Sequence, residues 1–356
     1  MGDSLEAAEE SGQAQPVSRW KARIYWIISR VTPEIVFEIL EIGYSLYGFR
    51  QARRKFRSSE IDAIFERYAI FGMIGARLAA RWNKPLVLEI NYTSASPLVR
   101  RRSRLLKPLA RVCDRYLFAR ATAFAAVSSY LREHLVSRYG IARDQICVLP
   151  NAADTVHFNP AMEPGTSTAD ALGERLIGFV GGFYPWHGLE LLLEAFAIVS
   201  QNLPDARLVL IGDGPTRPRV VTLAEHYGLT DKIALPGRVS YGQLPAWISK
   251  FRFGVLPDSN EYGSPMKIFE YMAMAKPVVV PDYPPIRDAV VDGVEGKIFR
   301  ARDIGDLAAC MQLLLTDDDL CRSMGAAARR KIEHVHNWQS NARRIAELLL
   351  AKPINT

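Results

Sequence analysis

The sequence is poor in the residues that build metal centres and disulfide frameworks. Its four cysteines, Cys113, Cys147, Cys310 and Cys321, are far apart and form no CxxC pair. That argues against a zinc site or a disulfide scaffold and fits a reducing compartment. Burial as small hydrophobes is the plain expectation for all four. No apolar run reaches 18 residues, so no membrane span is encoded. The first 18 residues are polar and acidic, unlike a signal peptide. The GxGxxG fingerprint of dinucleotide sites is absent, and no DxD element stands at a strand end. Asp317, Asp318 and Asp319 lie between helical stretches, where capping or solvation suits them better than a metal. His134, His157, His226, His334 and His336 lack the spacing of metal ligands. No essential metal or resident cofactor is expected.

What is present is an ordinary folded composition: 356 residues, 49% hydrophobic and 23% charged, enough for two domains. The formal charge of +7 is concentrated in two clusters. One is Arg50, Arg53, Arg54, Lys55 and Arg57; the other is Arg100, Arg101, Arg102, Arg104, Lys107, Arg111 and Arg115. No nucleic-acid motif accompanies them. An anionic bilayer, a phosphorylated acceptor and a solvated basic face all remain open. The stretch 24–49 is the nearest thing to a membrane element, but Pro33 and the charges Arg30, Glu34, Glu38 and Glu41 interrupt it. Its stripe of Ile35, Ile39 and Leu40 is expected to pack in the core; a helix lying on a membrane is the alternative.

Along the chain, strands alternate with helices. Strands are expected at 62–68, 85–91 and 123–129, a strand with its exit loop at 145–154, and helices at 69–82, 99–119 and 129–138. After a stretch rich in Pro, Gly, Ser and Thr at 160–174, a second series begins. It has strands at 176–180, 207–212, 232–237, 253–257 and 277–281, a hairpin-like excursion at 293–299, and helices between and after them. The fold class is α/β with open parallel sheets.

Three loops of the second series share one design, each following a strand whose carboxyl end lies on the same sheet edge. The first is Gly181-Gly182-Phe183-Tyr184-Pro185-Trp186-His187-Gly188, where paired glycines allow a ligand close to the backbone. The second is Gly212-Asp213-Gly214-Pro215, which a simple turn also explains. The third opens a helix at Ser264-Pro265-Met266-Lys267, with Ser264 as expected N-cap, Pro265 in the first turn, and Glu270 three residues beyond Lys267. Residues three apart share a helix face. A cation, an acceptor carboxylate and free helix N–H groups suit a nucleotide diphosphate. An intrahelical ion pair between Lys267 and Glu270 is the bland alternative. Arg238, after the third strand, completes the expected donor-binding set.

The stretches VGGFYPWHGLELLLEAF, ARLVLIGDGP, SPMKIFEYMAMAKPVVVPD and VLPNAADTVHF resemble the retaining glycosyltransferases of family GT4, over about residues 60–350 and most specifically over 176–299. The resemblance implies a GT-B fold: two Rossmann-like domains with an interdomain cleft, the C-terminal one binding a nucleotide-diphosphate sugar and the N-terminal one the acceptor. It places the family's phosphate-binding arginine at Gly182 and its lysine at His187. The family's glutamate pair falls on Tyr262 and Glu270, with Glu261 one place off register. A branch of the family carries the same WHG and SPxKxFEY, in which Lys267 recovers charge. Pro150, Asn151 and Asp154 match its PNGVD, with Ala152 in place of glycine, and Asn91 stands where many members carry a histidine near the reacting sugar.

The resemblance also implies an opening strand and a glycine-rich acceptor loop, whereas before Asp62 this sequence is helical and basic. The expected layout is a disordered leader (1–18), a helical basic segment (19–58), a partial acceptor-side domain (59–160), a linker (161–174), a nucleotide-sugar domain (175–335) and a returning C-terminal helix (336–356). The expected activity is transfer of a sugar from a UDP- or GDP-sugar to a glycan or lipid-linked acceptor in polysaccharide biosynthesis, with retention. His187, Lys267, Glu270 and Asn91 are the expected catalytic residues, and Gly181, Gly182, Gly212, Asp213, Gly214, Arg238, Ser264, Pro265, Met266, Lys267 and Glu270 would hold the donor. A partner-dependent donor-binding module is the rival reading; an epimerase or phosphorylase on the same architecture is a more distant one. A cytoplasmic location is expected, with peripheral attachment to the inner membrane face through Arg50–Arg57 and Arg100–Arg115 as an open alternative.

Overall fold

The computed structural model describes residues 34–96, 105–161 and 173–350. The expected leader, the start of the 19–58 segment, Arg100, Arg101, Arg102, Arg104, nearly all of the 161–174 linker and residues 351–356 lie outside them. The chain forms two units: Met1–Ala126, Leu131–Val148 and the residues from Arg344 on make the first, and Val127–Tyr130 with Leu149–Arg343 the second.

The first unit runs α1 (Glu34–Lys55), β1 (Ile64–Arg67), α2 (Ile74–Trp82), β2 (Leu86–Ile90), α3 (Lys107–Phe118), β3 (Ala123–Ala126), α4 (Ser129–Tyr139, from Leu131 on) and β4 (Ile146–Val148). Its four strands are parallel and lie in chain order, β1-β2-β3-β4. The middle strands are short apolar runs buried on both faces, as helix-covered parallel strands must be. The expected burial of the α1 stripe is overturned. Ile39 is 55% and Leu40 62% exposed, while Glu38 and Ser45 are buried. The cause is a small-residue face: Ser45 Oγ accepts from the Met73 N–H at 3.1 Å. A side chain on Gly48 would meet Ile74 Cδ1 at 2.6 Å. Close approach to α2 is possible only along that face, so the apolar stripe turns outward.

The second unit runs β5 (Leu176–Val180), α5 (Leu189–Asn202), β6 (Arg207–Ile211), α6 (Arg217–His226), β7 (Ile233–Gly237), α7 (Leu244–Ser249), β8 (Phe253–Val255), α8 (Met266–Ala273), β9 (Val278–Pro281), α9 (Pro284–Arg287), β10 (Gly296–Phe299), α10 (Ile304–Thr316) and α11 (Asp318–His334). The last helix, α12 (Trp338–Leu350), starts here and contributes its residues from Arg344 to the first unit. All six strands are parallel, in the order β10-β9-β8-β5-β6-β7. At the centre Gly178 of β5 pairs with Gly254 of β8, and the rings of Phe251 and Tyr271 occupy the space that side chains there would need.

Residues 293–299 do not form the expected hairpin. The glycines close a turn, with Gly293 N–H on Gly296 O at 2.8 Å, but Gly296–Phe299 then joins β9 in parallel as the edge strand. Of the cysteines, Cys113, Cys310 and Cys321 are buried, whereas Cys147 is half-buried because β4 is an edge strand. No described helix is long and apolar enough to cross a membrane.

Candidate functional site

The strand order of the second unit fixes where a ligand fits. From β5 the chain adds β6 and β7 on one side, then crosses back to add β8, β9 and β10 on the other. The loops after β5 and β8 therefore diverge at the carboxyl edge, leaving a crevice at this reversal. The loop after β5 is the GGFYPWHG turn; the loop after β8 leads into α8. The four described strands of the first unit have no such reversal.

Lys267, in the first turn of α8, reaches the β5 turn. Its Nζ stands 3.2 Å from His187 Nε2 and 4.8 Å from the centroid of the Phe179 ring. A Cβ on Gly181 would approach that Nζ to 2.6 Å, so the absent side chain is what admits the ammonium. His187 Nδ1 lies 2.5 Å from Gly182 O. Burial first, and the Lys267 charge second, push the His187 pKa down to about 3, so the ring is neutral at ordinary pH. Tyr184 stacks on Trp186 with centroids 4.6 Å apart and planes at 4°.

The β5 and β6 turns are interlocked. The Gly181 N–H donates to Ile211 O at 3.0 Å and the Phe183 N–H to Asp213 O at 2.9 Å. A Cβ on Gly212 would run into the Gly181 carbonyl, and one on Gly214 would lie 2.5 Å from Phe183 O. Gly181 and Gly212 have φ of 151° and 139°, a region closed to other residues. The β6 glycines thus serve loop-on-loop contact, and the Gly181 amide is spent on β6. The Gly182 N–H, with no acceptor among the described residues, is one amide of this turn left for a ligand. Asp213 is exposed and its Oδ1 accepts from the Gly214 N–H at 2.8 Å. Gly212 N–H donates to Gly237 O at 2.9 Å, which ties in the turn carrying exposed Arg238.

At the helix start, the N-cap expectation for Ser264 is corrected. Pro265 holds the N-cap position without a side-chain cap, and Met266 is the first helical residue. Ser264 Oγ instead accepts from the Asn151 N–H at 3.0 Å, and Ser264 O from Asn151 Nδ2 at 2.6 Å. Asn151 thus belongs to the helix start rather than to a distant exit loop. The first N–H groups of α8 have no intrahelical acceptor, as at any helix start. Glu270 is buried, as are Ile268, Phe269, Tyr271 and Met272, while Met266 and Lys267 are half-buried. Its carboxylate is felt by Tyr241, whose hydroxyl pKa is pushed up to about 12 by burial first and then by Glu270 and Asp154. The His157 ring stacks on Tyr241 at 4.5 Å. Sequence reasoning did not single out Tyr241, Phe179 or the Tyr184–Trp186 stack; the aromatic run YPW between the glycine pair and His187 was the available signal.

In the first unit, Asn91 follows β2 and its Nδ2 donates to Glu89 Oε1 at 3.1 Å, which also accepts from Arg67 Nε at 2.8 Å. The loop bearing Asn91 is anchored by buried Asp114, which accepts from Tyr68 Oη at 2.6 Å, Ser94 Oγ at 2.5 Å and Tyr139 Oη at 2.8 Å. Among the described residues no group of three or more His, Cys, Asp or Glu is placed to hold a metal ion. Asp317 caps α11 by accepting from the Leu320 N–H at 2.8 Å, and Asp318 and Asp319 pair with Arg252 and Arg322.

Comparison with known proteins agrees with this architecture. The family model "Glycosyl transferases group 1" matches residues 167–331, and "Glycosyltransferase Family 4" matches residues 9–157. A D-inositol 3-phosphate glycosyltransferase of Nocardia farcinica is 27% identical over 279 residues, covering 75% of this chain and 61% of its own length. An alpha-D-kanosaminyltransferase of Streptomyces kanamyceticus is 26% identical over 251 residues, covering 68% of this chain and 64% of its own. The chain thus spans less than two thirds of these two relatives. Among solved structures, Anabaena HepE in complex with UDP superposes with a TM-score of 0.70 at 17% identity, over 86% of this chain and 82% of HepE. A glycosyltransferase from Rickettsia africae gives 0.69 at 18%, over 86% and 80%. At such identities the structures establish the GT-B fold.

Proposed function

Because the chain belongs to the glycosyltransferases of GT-B fold related to family 4, we propose that it transfers a sugar from a nucleotide-diphosphate donor to a glycan or lipid-linked acceptor. The observation that carries this reading is the Lys267 ammonium lying over the β5 glycine turn at the strand-order reversal. A diphosphate there meets one cation, the Gly182 N–H and the first amides of α8. As the bond from C1 to the β-phosphate oxygen breaks, negative charge grows on that oxygen, and donors fixed in advance stabilise it most. Each charge-assisted bond is worth about 1.5–3 kcal/mol. Buried Glu270 suits a ribose diol, since an ionised carboxylate accepts two hydroxyl bonds. Arg238 and Asp213 edge the same loops, and Asn91 in the first unit is the acceptor-side candidate. Retention of configuration follows the family resemblance.

UDP- and GDP-sugars offered to the folded protein test the proposal. Saturable binding of one, with sugar appearing on a glycan or lipid-linked acceptor, is expected. Failure of every nucleotide sugar to bind would overturn it. The rival, a donor-binding module that needs a partner, draws on the four unreversed strands of the first unit. It predicts binding with neither transfer nor hydrolysis.

For the acceptor side we infer an anionic lipid surface. Exposed Leu105, Leu109 and Val112 are spaced at helical intervals, beside exposed Lys107, Arg111 and Arg115. α1 exposes Ile39, Leu40, Tyr44 and Tyr47 and ends in Arg50, Arg53, Arg54 and Lys55. A solvated basic face has no need of such apolar stripes. Sedimentation with phosphatidylserine vesicles, lost on Leu109→Glu/Val112→Glu, is expected; equal sedimentation of both proteins would refute it.

A further inference from the structure

Resting on the donor-site reading, we propose that His187 is a positioning residue: a neutral acceptor that holds the Lys267 ammonium against the Gly181–Gly182 turn. Gly182 O, 2.5 Å from His187 Nδ1, only accepts, so Nδ1 carries the ring proton. An ammonium only donates, so Nε2, 3.2 Å from Lys267 Nζ, presents its lone pair. Both bonds form together in one state, the neutral ring protonated at Nδ1. With both nitrogens engaged, His187 gives no proton or hydrogen bond to a ligand. It acts through Lys267, adding a restraint to the flexible four-carbon stem that carries the charge.

The surrounding residues explain why the cation comes from α8. A side chain at Gly182 would strike the Tyr184 ring at 2.5 Å, and Tyr184 is fixed by its stack on Trp186. No long basic side chain fits at 182 beside that stack. The empty Cβ position of Gly181 then admits Lys267 Nζ, and the Phe179 ring supplies a π face beneath it. Gly181, Gly182, His187 and Lys267 form one interdependent set, in which the positions that the resemblance gives to arginine and lysine have become space and a lone pair. The charged or titratable groups facing the imidazole are Lys267 from α8 and Tyr184 from its own turn. Phe179 and Trp186 complete its surroundings.

Two measurements on the full chain test this. The first uses ¹⁵N-histidine labelling without ligand, with the His187 signals identified by their loss in His187→Gln. The expected result is the Nδ1-protonated neutral ring, with the Nε2 signal moving and the ring taking up a proton at higher pH in Lys267→Met. An Nε2-protonated ring, or signals indifferent to Lys267→Met, would overturn the proposal. The second is calorimetric titration with UDP, GDP and pyrophosphate. His187→Phe and Lys267→Met should each weaken binding by roughly tenfold or more, and the double variant no further than Lys267→Met alone. His187→Gln, which keeps a donor and an acceptor, should recover part of the loss. Additive losses would make His187 an independent ligand contact and overturn the positioning role. If the wild type binds none of the three probes, the donor-site reading falls, while the ¹⁵N result still decides the histidine–lysine contact.

Discussion

Asn151 holds Ser264 from two sides: its backbone N–H donates to the serine hydroxyl at 3.0 Å and its side-chain amide to the serine carbonyl at 2.6 Å. The segment 150–154 is thereby clamped to the residue before the N-cap of α8. Asn151→Ala removes one of these bonds and leaves the Ser264 carbonyl short of a partner. The expected cost is about 1–3 kcal/mol. It should appear as a lower urea midpoint, with weaker UDP or GDP binding because the helix start is no longer fixed. An unchanged midpoint would show the clamp to be incidental.

Gly181→Ala strikes backbone and ligand site together. Its φ of 151° disfavours any Cβ, and the added carbon displaces the Lys267 ammonium. Nucleotide affinity should fall by about tenfold or more. Gly228→Ala is the control: φ is +63° there too, but the added carbon meets nothing within 4 Å. It should cost about 1 kcal/mol of stability and leave nucleotide affinity intact.

The acidity of His187 sets a stability slope. The ring titrates near 6.5 when unfolded and near 3 when folded. Between those values the unfolded chain binds a proton that the native chain refuses, so stability falls as pH drops below about 6.5 and is fully retained above it. Melting temperatures from pH 7 to pH 5 should fall more steeply for the wild type than for His187→Gln. Parallel curves would mean that the ring is not buried in its neutral form.

Glu270 is predicted to read the ribose. Wild-type protein should prefer UDP or GDP over its 2′-deoxy form, and Glu270→Ala should bind both alike. A preference that survives the substitution would place the diol elsewhere.

Tyr271→Phe tests the sheet beneath the crevice. The buried hydroxyl accepts from the Val180 N–H at 2.7 Å, at the end of β5. Removing it orphans that amide, at a cost of about 1–3 kcal/mol, readable by chemical denaturation. Denaturation curves that coincide would show another acceptor at work.

Much of the architecture was legible in the chain because the signals are local. Leu176–Val180 is a short apolar run between polar boundaries, and the sequence-based strand at 176–180 coincides with β5. The glycine turns and the Lys267 helix also sit where their strands' ends require. What could not be read depends on partners far along the chain. Ser264 looks like an N-cap until Asn151, 113 residues away, takes its hydroxyl. His187 reads as a catalytic residue until Lys267, 80 residues on, meets its Nε2. In α1 the apolar period is the same whether the stripe faces in or out, and the small residues Ser45 and Gly48 decide which side lies against α2. At 293–299 the glycines announce a turn but not the direction of the strand that follows.

The contact between Gly212 and the Gly181 carbonyl has a consequence for anyone redesigning this protein. The two turns are one part, cast together, so exchanging either alone with that of a relative brings a mismatched surface against the other. A working chimera must carry residues 181–188 and 212–216 as a single graft.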